Sequence, residues 1–554
     1  MNLNTRITGP AGAWVNSTVD IISSLYAELW YDVITDIEYE SRIKWWVNYF
    51  DVNISDNSEL FLTKYSDIIL AFNADSLQKQ LNSLKKGWTI IINNKWLAKI
   101  TEDLSDYQIL DLEISDKYDN TYLLGIYALY LNLDLNIILE KVETVFAKKW
   151  EEIVNKNKDI IKNIFDTYNI TNKSDISLSR VADAKKINYW NKALTYWAIE
   201  WGLEFYSAYP MTPASTVLWE VVNSGKVNFL QAEDEIAVAN AVLWASFTWK
   251  RAMCGTSGWG FALMTEAISF AVQAEFPMTI IFAQRAWPST GTPTYQEQWD
   301  INFALNPTFW DFEHVVLYPS SLEEAYYFGW LSLNIADKYQ TQVILLMDKQ
   351  SAELHATHSD FSAPTIDRWV VLENPPEDYK RYELTDSWIS PRVNVWTKNW
   401  DFIATSYEHD EYGATSEDSD LKVKFTEKRF KKLQNFFEKE GISGYKIINP
   451  TAKKMIVTYS FTKYTAEHFV KNNPEYGLIV IKFLKPIDER LRDDIISNKY
   501  EELIFVESNY SGQVEKHLCN ELGLKYMPNL KISNLRKYDL FPFYIEDFNE
   551  LLNK

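Results

Sequence analysis

The chain has 554 residues, a net charge of −21, and 22 tryptophans against 17 glycines. The acidic balance argues against a nucleic-acid groove or an anionic membrane surface, because both need clustered cations. Two cysteines, Cys254 and Cys519, exclude a disulfide framework and any four-cysteine zinc or iron–sulfur site within the chain.

The N-terminus, MNLNTRITGP, lacks a charged segment followed by an apolar one, so no signal peptide is read. No window approaches about eighteen consecutive apolar residues, so no transmembrane helix is expected. The expectation is a soluble cytoplasmic α/β protein. Residues 4–9 read as a strand, Gly9-Pro10-Ala11-Gly12 as a turn, and the stretch from Val15 as a helix. YDVITDIEY, DVNIS, DIILAFN and WTIIINN supply further strands, with ADSLQKQLNSLKK as a helix between them. Alternating β and α elements predict a parallel sheet covered by helices over residues 1–180. A second, doubly wound α/β unit is expected over 187–355. Its strands are LEFYSAYP, KVNFLQAE, RAMCGTS, MTIIFAQR, HVVLYP and TQVILLMD, separated by Ala-rich helices. Residues 356–450 are polar and irregular and read as a connecting segment ending in a helix. Residues 451–554 form a third α/β unit with strands KKMIVTYS, YGLIVIKFL and EELIFVES. No repeat and no low-complexity tract is found.

Three segments carry chemistry. In Tyr206–Thr216, Pro210 and Pro213 break the chain where a strand meets a helix, and Thr212 and Ser215 stand at a helix N-terminus suited to an anion. Simple N-capping is the plainer reading of those hydroxyls. Glu233-Asp234-Glu235 opens an Ala-rich helix, where acidic residues suit the macrodipole. The small Ala237, Ala239 and Ala241 also permit close packing, so a carboxylate there is positioned to be buried against a ligand. Arg285 ends a strand at the edge where open α/β sheets bind ligands, and its fork suits a carboxylate. An ordinary surface ion pair is its alternative.

Together these segments resemble the α subunit of 2-oxoacid:ferredoxin oxidoreductases in the form with a γ domain fused at the N-terminus. The family's Y-P-I-T-P-S motif is matched by Tyr209 to Ala214, its T-S-G-P-G-F turn by Thr256 to Phe261, and its Q-R-G-G-P-S-T-G segment by Gln284 to Gly291. G-x-S-P-R resembles Trp388 to Arg392, E-H-D-E-x-G resembles Glu408 to Gly413, and E-x-N-Y-S-G-Q resembles Glu507 to Gln513. In the first unit, G-x-G-G-x-G is similar to Gly9 to Trp14, and S-R-I-R-G-G to Ser41 to Trp46.

The resemblance implies a γ-type N-terminal domain, a pyrimidine-type thiamine-diphosphate domain and a transketolase C-terminal-like domain. It implies coenzyme A-dependent oxidative decarboxylation of a 2-oxoacid, pyruvate and 2-oxoglutarate among the candidates, with electrons passed to ferredoxin or a similar acceptor. Glu235 aligns with the carboxylate that hydrogen-bonds the aminopyrimidine and favours its imino tautomer, with Glu233 as the fallback. Tyr209 and Pro210 border the cofactor, and Thr212 and Arg285 hold the substrate carboxylate. The chain has no G-D-G with a following metal-binding Asn, so Mg²⁺ and the [4Fe–4S] cluster are assigned to a separate β subunit. His409, a lone histidine between Glu408 and Asp410, is read as structural, and no metal site is expected in this chain. Two other classes stay open: a non-catalytic scaffold of the same fold, and a dinucleotide-binding oxidoreductase using Asp36, Glu38 or Glu40.

Glycine supplies about 3% of residues, against a usual value of roughly 7%. The sum 17 + 22 = 39 is an ordinary glycine content. Trp14, Trp45, Trp46, Trp190, Trp197, Trp244, Trp287, Trp388 and Trp396 fall where the family pattern has glycine. A UGA codon read as glycine in the source and written as tryptophan explains this, and the Lys, Asn, Ile and Tyr content suits an AT-rich gene.

Overall fold

The computed structural model describes residues 2–10, 15–39, 47–56, 59–114, 117–147, 149–171, 173–174, 185–359 and 365–553. The turn residues 11–14 and the 41–46 motif lie outside these. The chain forms two compact units, one of residues 1–189, 354–360 and 543–554, the other of 190–353 and 361–542. The boundaries expected near 180 and 355 therefore fall differently. Strands Lys186–Tyr189 and His355–His358 pair with each other, and Ala356 pairs with Ile34, so both join the sheet of the first unit.

That first sheet has eight strands and is mixed, which corrects the expected parallel arrangement. Strand Val47–Ser55 runs antiparallel to both Asn2–Pro10 and Asp32–Tyr39. Only residues 40–46 separate Tyr39 from Val47, too short a link for a crossover, which takes a dozen residues or more. Strands Ser66–Ala71, Leu84–Asn93 and Gln108–Leu112 continue the sheet in parallel. The helices Val15–Glu28, Asp119–Tyr130 and Leu135–Phe146 bury Ile22, Tyr127 and Val142 in its core, the second of them being buried on almost every side.

The second unit is built on a seven-stranded sheet. Across it the order is Phe483–Lys485, Val315–Leu317, Gln342–Asp348, Met278–Gln284, Ala252–Thr256, Phe205–Ala208 and Asn228–Gln231, all parallel except the first. The central strands 278–284 and 342–348 are buried along their whole length, as expected for strands covered on both faces. A five-stranded sheet, including Lys454–Thr458, Tyr476–Ile481 and Glu502–Glu507, packs in the same unit. One continuous apolar core holds Ile280, Phe282 and Ile344 of the seven-stranded sheet with Met455, Val457 and Ile479 of the five-stranded one. Phe483–Lys485 pairs antiparallel with the edge strand 315–317 and stitches the two sheets together.

The connecting segment is fastened by buried charge. In helix Ser419–Lys431, Lys428 reaches Glu275 at 2.5 Å, and the following Lys432 stands 3.5 Å away on its other oxygen. All three residues are buried. Burial alone raises a carboxyl pKa, but Lys428, Lys432 and Arg381 pull that of Glu275 well below the ordinary range. A folded-state pKa below the unfolded one stabilises the fold above the ordinary carboxylate pKa, and the contribution is lost as pH falls through that range. Removing one partner of a buried pair costs about 3–5 kcal/mol. Glu275→Gln is therefore expected to lower the unfolding free energy read from urea denaturation at neutral pH by that order, with a smaller loss in acid.

Candidate functional site

The sheet of the second unit reverses its direction of growth between strands 205–208 and 252–256. From 205–208 the chain moves to 228–231 at one edge, and from 252–256 it moves to 278–284 on the other side. At such a switch point the segments leaving the strand ends open a crevice where α/β sheets bind ligands. The segments here are Tyr209–Pro213, Ala232–Glu235, Ser257–Gly260 and Arg285–Ser289. Thr212, Glu235 and Arg285 thus each lie in a segment that leaves the end of one of these strands.

Three polar atoms at this edge are buried without a hydrogen-bond partner: Tyr206 Oη, Glu235 Oε1 and Ser257 Oγ. Native interiors leave few such groups, and each needs a reason. Glu235 is the first residue of helix Glu235–Phe247 and is 4% exposed. It does not cap that helix. Asp234 does, its carboxylate accepting the Ala237 N–H at 2.7 Å. Glu233 is exposed. Burial pushes the Glu235 carboxyl above its ordinary pKa, and Asp234 adds to the rise. Gly260 lies directly against it: a Cβ there would come within 2.4 Å of Oε1 and 2.2 Å of Thr256 Oγ1. A Cβ on Gly255 would similarly meet Tyr206 Oη at 2.4 Å.

Thr212 is half-buried just before helix Ser215–Ser224, while Tyr209 and Pro210 are exposed. Arg285 follows the strand Met278–Gln284 and is half-buried. Burial depresses its guanidinium pKa, which the Asp300 carboxylate partly restores. Trp259 and Trp287 flank this side, their rings 5.1 Å apart, and the Trp259 indole N–H donates to Ser289 Oγ at 2.8 Å.

A buried polar network holds the base of Arg285 in place. Gln284 Nε2 donates to Tyr318 Oη at 3.0 Å, and Tyr318 Oη donates to Asp348 at 2.9 Å. Gln298 Nε2 and Ser460 Oγ donate to the same Asp348 oxygen. The Gln298 N–H donates to the Ser508 carbonyl, and the Ser508 N–H donates back to Gln298 Oε1. The Asn302 N–H donates to Gln513 Oε1, and Gln513 Nε2 donates to the Trp299 carbonyl. The 507–513 motif therefore clamps the loop facing Arg285. Sequence reading singled out that motif but missed Gln284, Gln298, Asp300 and Asp348 as parts of the site. The polar run Gln296-Glu297-Gln298-Trp299-Asp300 inside an apolar domain was the available signal.

Two other singled-out features lie elsewhere. His409 is buried, its Nδ1 meeting the Asp410 carbonyl at 2.8 Å and its ring packing tilted against Tyr382 with centroids 4.1 Å apart. Cys254 is buried in its strand, which pushes its thiol up to about 12. Among the described residues no cluster of His, Cys, Asp and Glu is placed to hold a metal ion, and no helix is long and apolar enough to cross a membrane.

These features define an α/β protein with a crevice at the switch point of its sheet, and comparison with known proteins narrows the class. The family profile described as pyruvate flavodoxin/ferredoxin oxidoreductase, thiamine-diphosphate-binding, matches residues 197–427. That described as pyruvate ferredoxin/flavodoxin oxidoreductase matches residues 4–167. The 2-oxoacid:ferredoxin oxidoreductase subunit alpha of Saccharolobus solfataricus is 28% identical over 95% of this chain and 94% of its own. The 2-oxoglutarate synthase subunit KorA of Methanocaldococcus jannaschii is 31% identical over 52% of this chain and 79% of its own. A solved 2-oxoglutarate:ferredoxin oxidoreductase from Magnetococcus marinus, with 2-oxoglutarate, coenzyme A and succinyl-CoA bound, superposes with a TM-score of 0.88 at 26% identity, covering 100% of this chain and 99% of that one. The chain belongs to the 2-oxoacid:ferredoxin oxidoreductase family, among its alpha subunits.

Proposed function

We propose that this chain is the α subunit, with a fused γ-type domain, of an oxidoreductase that decarboxylates a 2-oxoacid, passes the electrons to ferredoxin or a similar acceptor and transfers the acyl group to coenzyme A. The single observation that carries the reading is the buried, unpartnered Glu235 oxygen against Gly260 at the switch point. The donor set fits thiamine diphosphate: Glu235 would accept from the pyrimidine ring, while Tyr206, Ser257 and the exposed Tyr209-Pro210 edge would border it. When bound, that cofactor supplies the electron sink that decarboxylation of a 2-oxoacid requires.

The chain's own residues do the positioning. Burial raises the pKa of Glu235, which suits a carboxyl that exchanges a proton with a ring nitrogen. Gly260 and Thr256 close its other side and exclude water. Arg285 offers a fork to the substrate carboxylate, and Thr212 offers a hydroxyl. A separate β subunit supplies Mg²⁺, the cofactor's diphosphate site and the [4Fe–4S] cluster. Two features favour such a partner. The strand Asn228–Gln231 at the sheet edge is exposed throughout, and the apolar helix 235–247 leaves Ile236 exposed. The naming of the relatives as subunits points the same way.

We also infer that the tryptophans are glycines in the native protein. Five of them, Trp30, Trp249, Trp369, Trp388 and Trp396, have φ between +59° and +71°, a conformation glycine adopts freely and bulky residues resist. Six are more than half exposed, among them Trp150 at 82% and Trp396 at 85%. Trp249 and Trp369 of the five, together with Trp96 and Trp190, bury an indole N–H with no partner, although buried tryptophans normally find one.

Three outcomes are expected. In the assembled oxidoreductase, Glu235→Gln loses turnover by about a hundredfold or more, read as viologen reduction across a 2-oxoacid panel; unchanged kcat overturns its role. Arg285→Lys raises KM by roughly tenfold with less effect on kcat; an unchanged KM removes Arg285 from the carboxylate site. Protein purified from its native host has an intact mass well below 64.8 kDa; a mass matching 22 tryptophans overturns the glycine assignment.

A further inference from the structure

Trp249 fills a space between two buried arginines. It follows helix Glu235–Phe247 at φ +60° and is 3% exposed. The Arg381 and Arg392 guanidinium carbons lie 4.9 and 4.3 Å from its ring centroid, close enough for the ring to attract both cations. Both arginines are buried, and each keeps a buried Nε–H without a hydrogen-bond partner. Nε and Nη1 of the buried Arg251 and the Trp249 indole N–H lack hydrogen-bond partners as well.

The protein supplies few anions to this cluster. Asp337 serves three guanidiniums, at 3.7 Å from Arg251, 3.2 Å from Arg368 and 3.4 Å from Arg392. Glu204 reaches Arg368 at 3.6 Å but is paired with Lys250 at 2.7 Å. Arg381 forms no ion pair among the described residues. It donates to the neutral Gln340 side chain at 2.8 Å and to the Glu275 carbonyl at 2.9 Å. The Glu275 carboxylate is already shared by Lys428 and Lys432. Burial and the crowding of like charge, against the pull of Asp337, lower the pKa of Arg392 and take that of Arg251 down to about 10. The C-terminal end of helix 235–247 would repel an anion, but its carbonyls are engaged. Those of Trp244, Ala245 and Ser246 accept the N–H groups of residues 248–250, and Arg368 donates to the Trp249 carbonyl.

With glycine at 249 the backbone keeps its course, because a positive φ suits glycine. The ring is then gone, and two buried guanidiniums border the space it filled. Buried charge without a partner is strongly destabilising. Water would satisfy the N–H groups but leave the charge unbalanced. We propose that the glycine-bearing protein holds a small oxyanion of phosphate or sulfate type between Arg381 and Arg392, an inference that rests on residue 249 being glycine. Centred where the ring lies, 4.3 and 4.9 Å from the two guanidinium carbons, the ion brings its oxygens to the nitrogens at the about 2.7–2.9 Å of charge-assisted bonds. Both arginines are shut off from solvent, so the site takes an inorganic ion rather than a nucleotide. The ion ties the connecting segment, which carries both arginines, to the end of helix 235–247.

The test compares two forms of the full chain, each assembled with its partner subunit and loaded with thiamine diphosphate. One has glycine at every tryptophan position, and the other is identical but keeps Trp249. Phosphate and sulfate are titrated calorimetrically, with chloride at matched ionic strength as the control. The all-glycine form is expected to bind one more phosphate or sulfate per chain than the form keeping Trp249, and its Tm should rise with phosphate concentration. In that form Arg381→Gln and Arg392→Gln should each weaken the extra binding by about tenfold or more. Equal binding by the two forms, or a chloride effect as large as that of phosphate, overturns the site. Competition by ATP overturns its assignment to an inorganic ion. Selenate soaked into crystals of the all-glycine form reads the site without the arginine variants. An anomalous peak between the two guanidiniums is expected, and its absence overturns the proposal even where those variants fail to assemble. A peptide mass from native-host protein that matches tryptophan at 249 instead defeats the glycine reading, so the two failures are told apart.

Discussion

One buried carboxylate oxygen with no hydrogen-bond partner sets the terms for the rest of the second unit. Leaving such a group unsatisfied costs about 1–3 kcal/mol, more for a charged one. Glu235 is kept in that condition although its neighbour Asp234 caps the helix with an ordinary side-chain bond. The elements around it leave that oxygen without a protein partner. Gly260 has no Cβ, Thr256 Oγ1 lies on the far side of the same gap, and the parallel sheet ends its strands in one row. A functional group retained at a cost to stability is the usual mark of a binding site.

The same logic explains why the C-terminal sheet belongs to this unit. The Gln284–Tyr318–Asp348–Gln298 network is buried, and it is completed by Ser460, Ser508 and Gln513 from the C-terminal region. A half-satisfied network in a low-dielectric interior is worse than an apolar core, whereas a satisfied one fixes geometry. The strand end carrying Arg285 is thus held by hydrogen bonds that exist only when both sheets are in place. Glu507 serves this clamp indirectly by accepting the N–H groups of Val514 and Glu515 at the start of helix Gln513–Glu521. The E-x-N-Y-S-G-Q motif is conspicuous in sequence for that local reason, although its effect is felt at residue 285.

Local patterns were legible in the sequence, and pairing partners were not. Each strand named for the second unit forms within the named segment, because short apolar-rich runs bounded by turns leave little alternative. The mixed sheet of the first unit was misread, since strand spacing was taken as alternation while the short 40–46 link between Tyr39 and Val47 set the direction. The pairing of 186–189 with 355–358 is equally nonlocal. At the site, Glu235, Thr212 and Arg285 were visible because each ends or starts an element. Asp300 and Gln284 were not, because their meaning depends on a hydrogen bond between segments and on the missing Cβ of Gly258.

The tryptophans join these scales of description. Helix 190–200 ends with Gly202 at φ +99°, where the Gly202 N–H bonds the Ile199 carbonyl and the Leu203 N–H bonds that of Ala198. This is the hydrogen-bond pattern of the Schellman ending, which favours glycine at its left-handed position. Two other helices end with the same paired bonds. After helix 15–28, Trp30 and Tyr31 donate to Ala27 and Tyr26; after helix 235–247, Trp249 and Lys250 donate to Ser246 and Ala245. The backbone is that of a glycine terminus in all three, but the letter is Trp in two, at φ +71° and +60°. Trp249 moreover wedges its ring between Arg381 and Arg392, at 4.9 and 4.3 Å, and leaves its own N–H unbonded. A fold that places large rings where its backbone requires none, and repeats the geometry its true glycines have, is consistent with one substitution rule applied throughout the chain, not with separate adaptations at each turn.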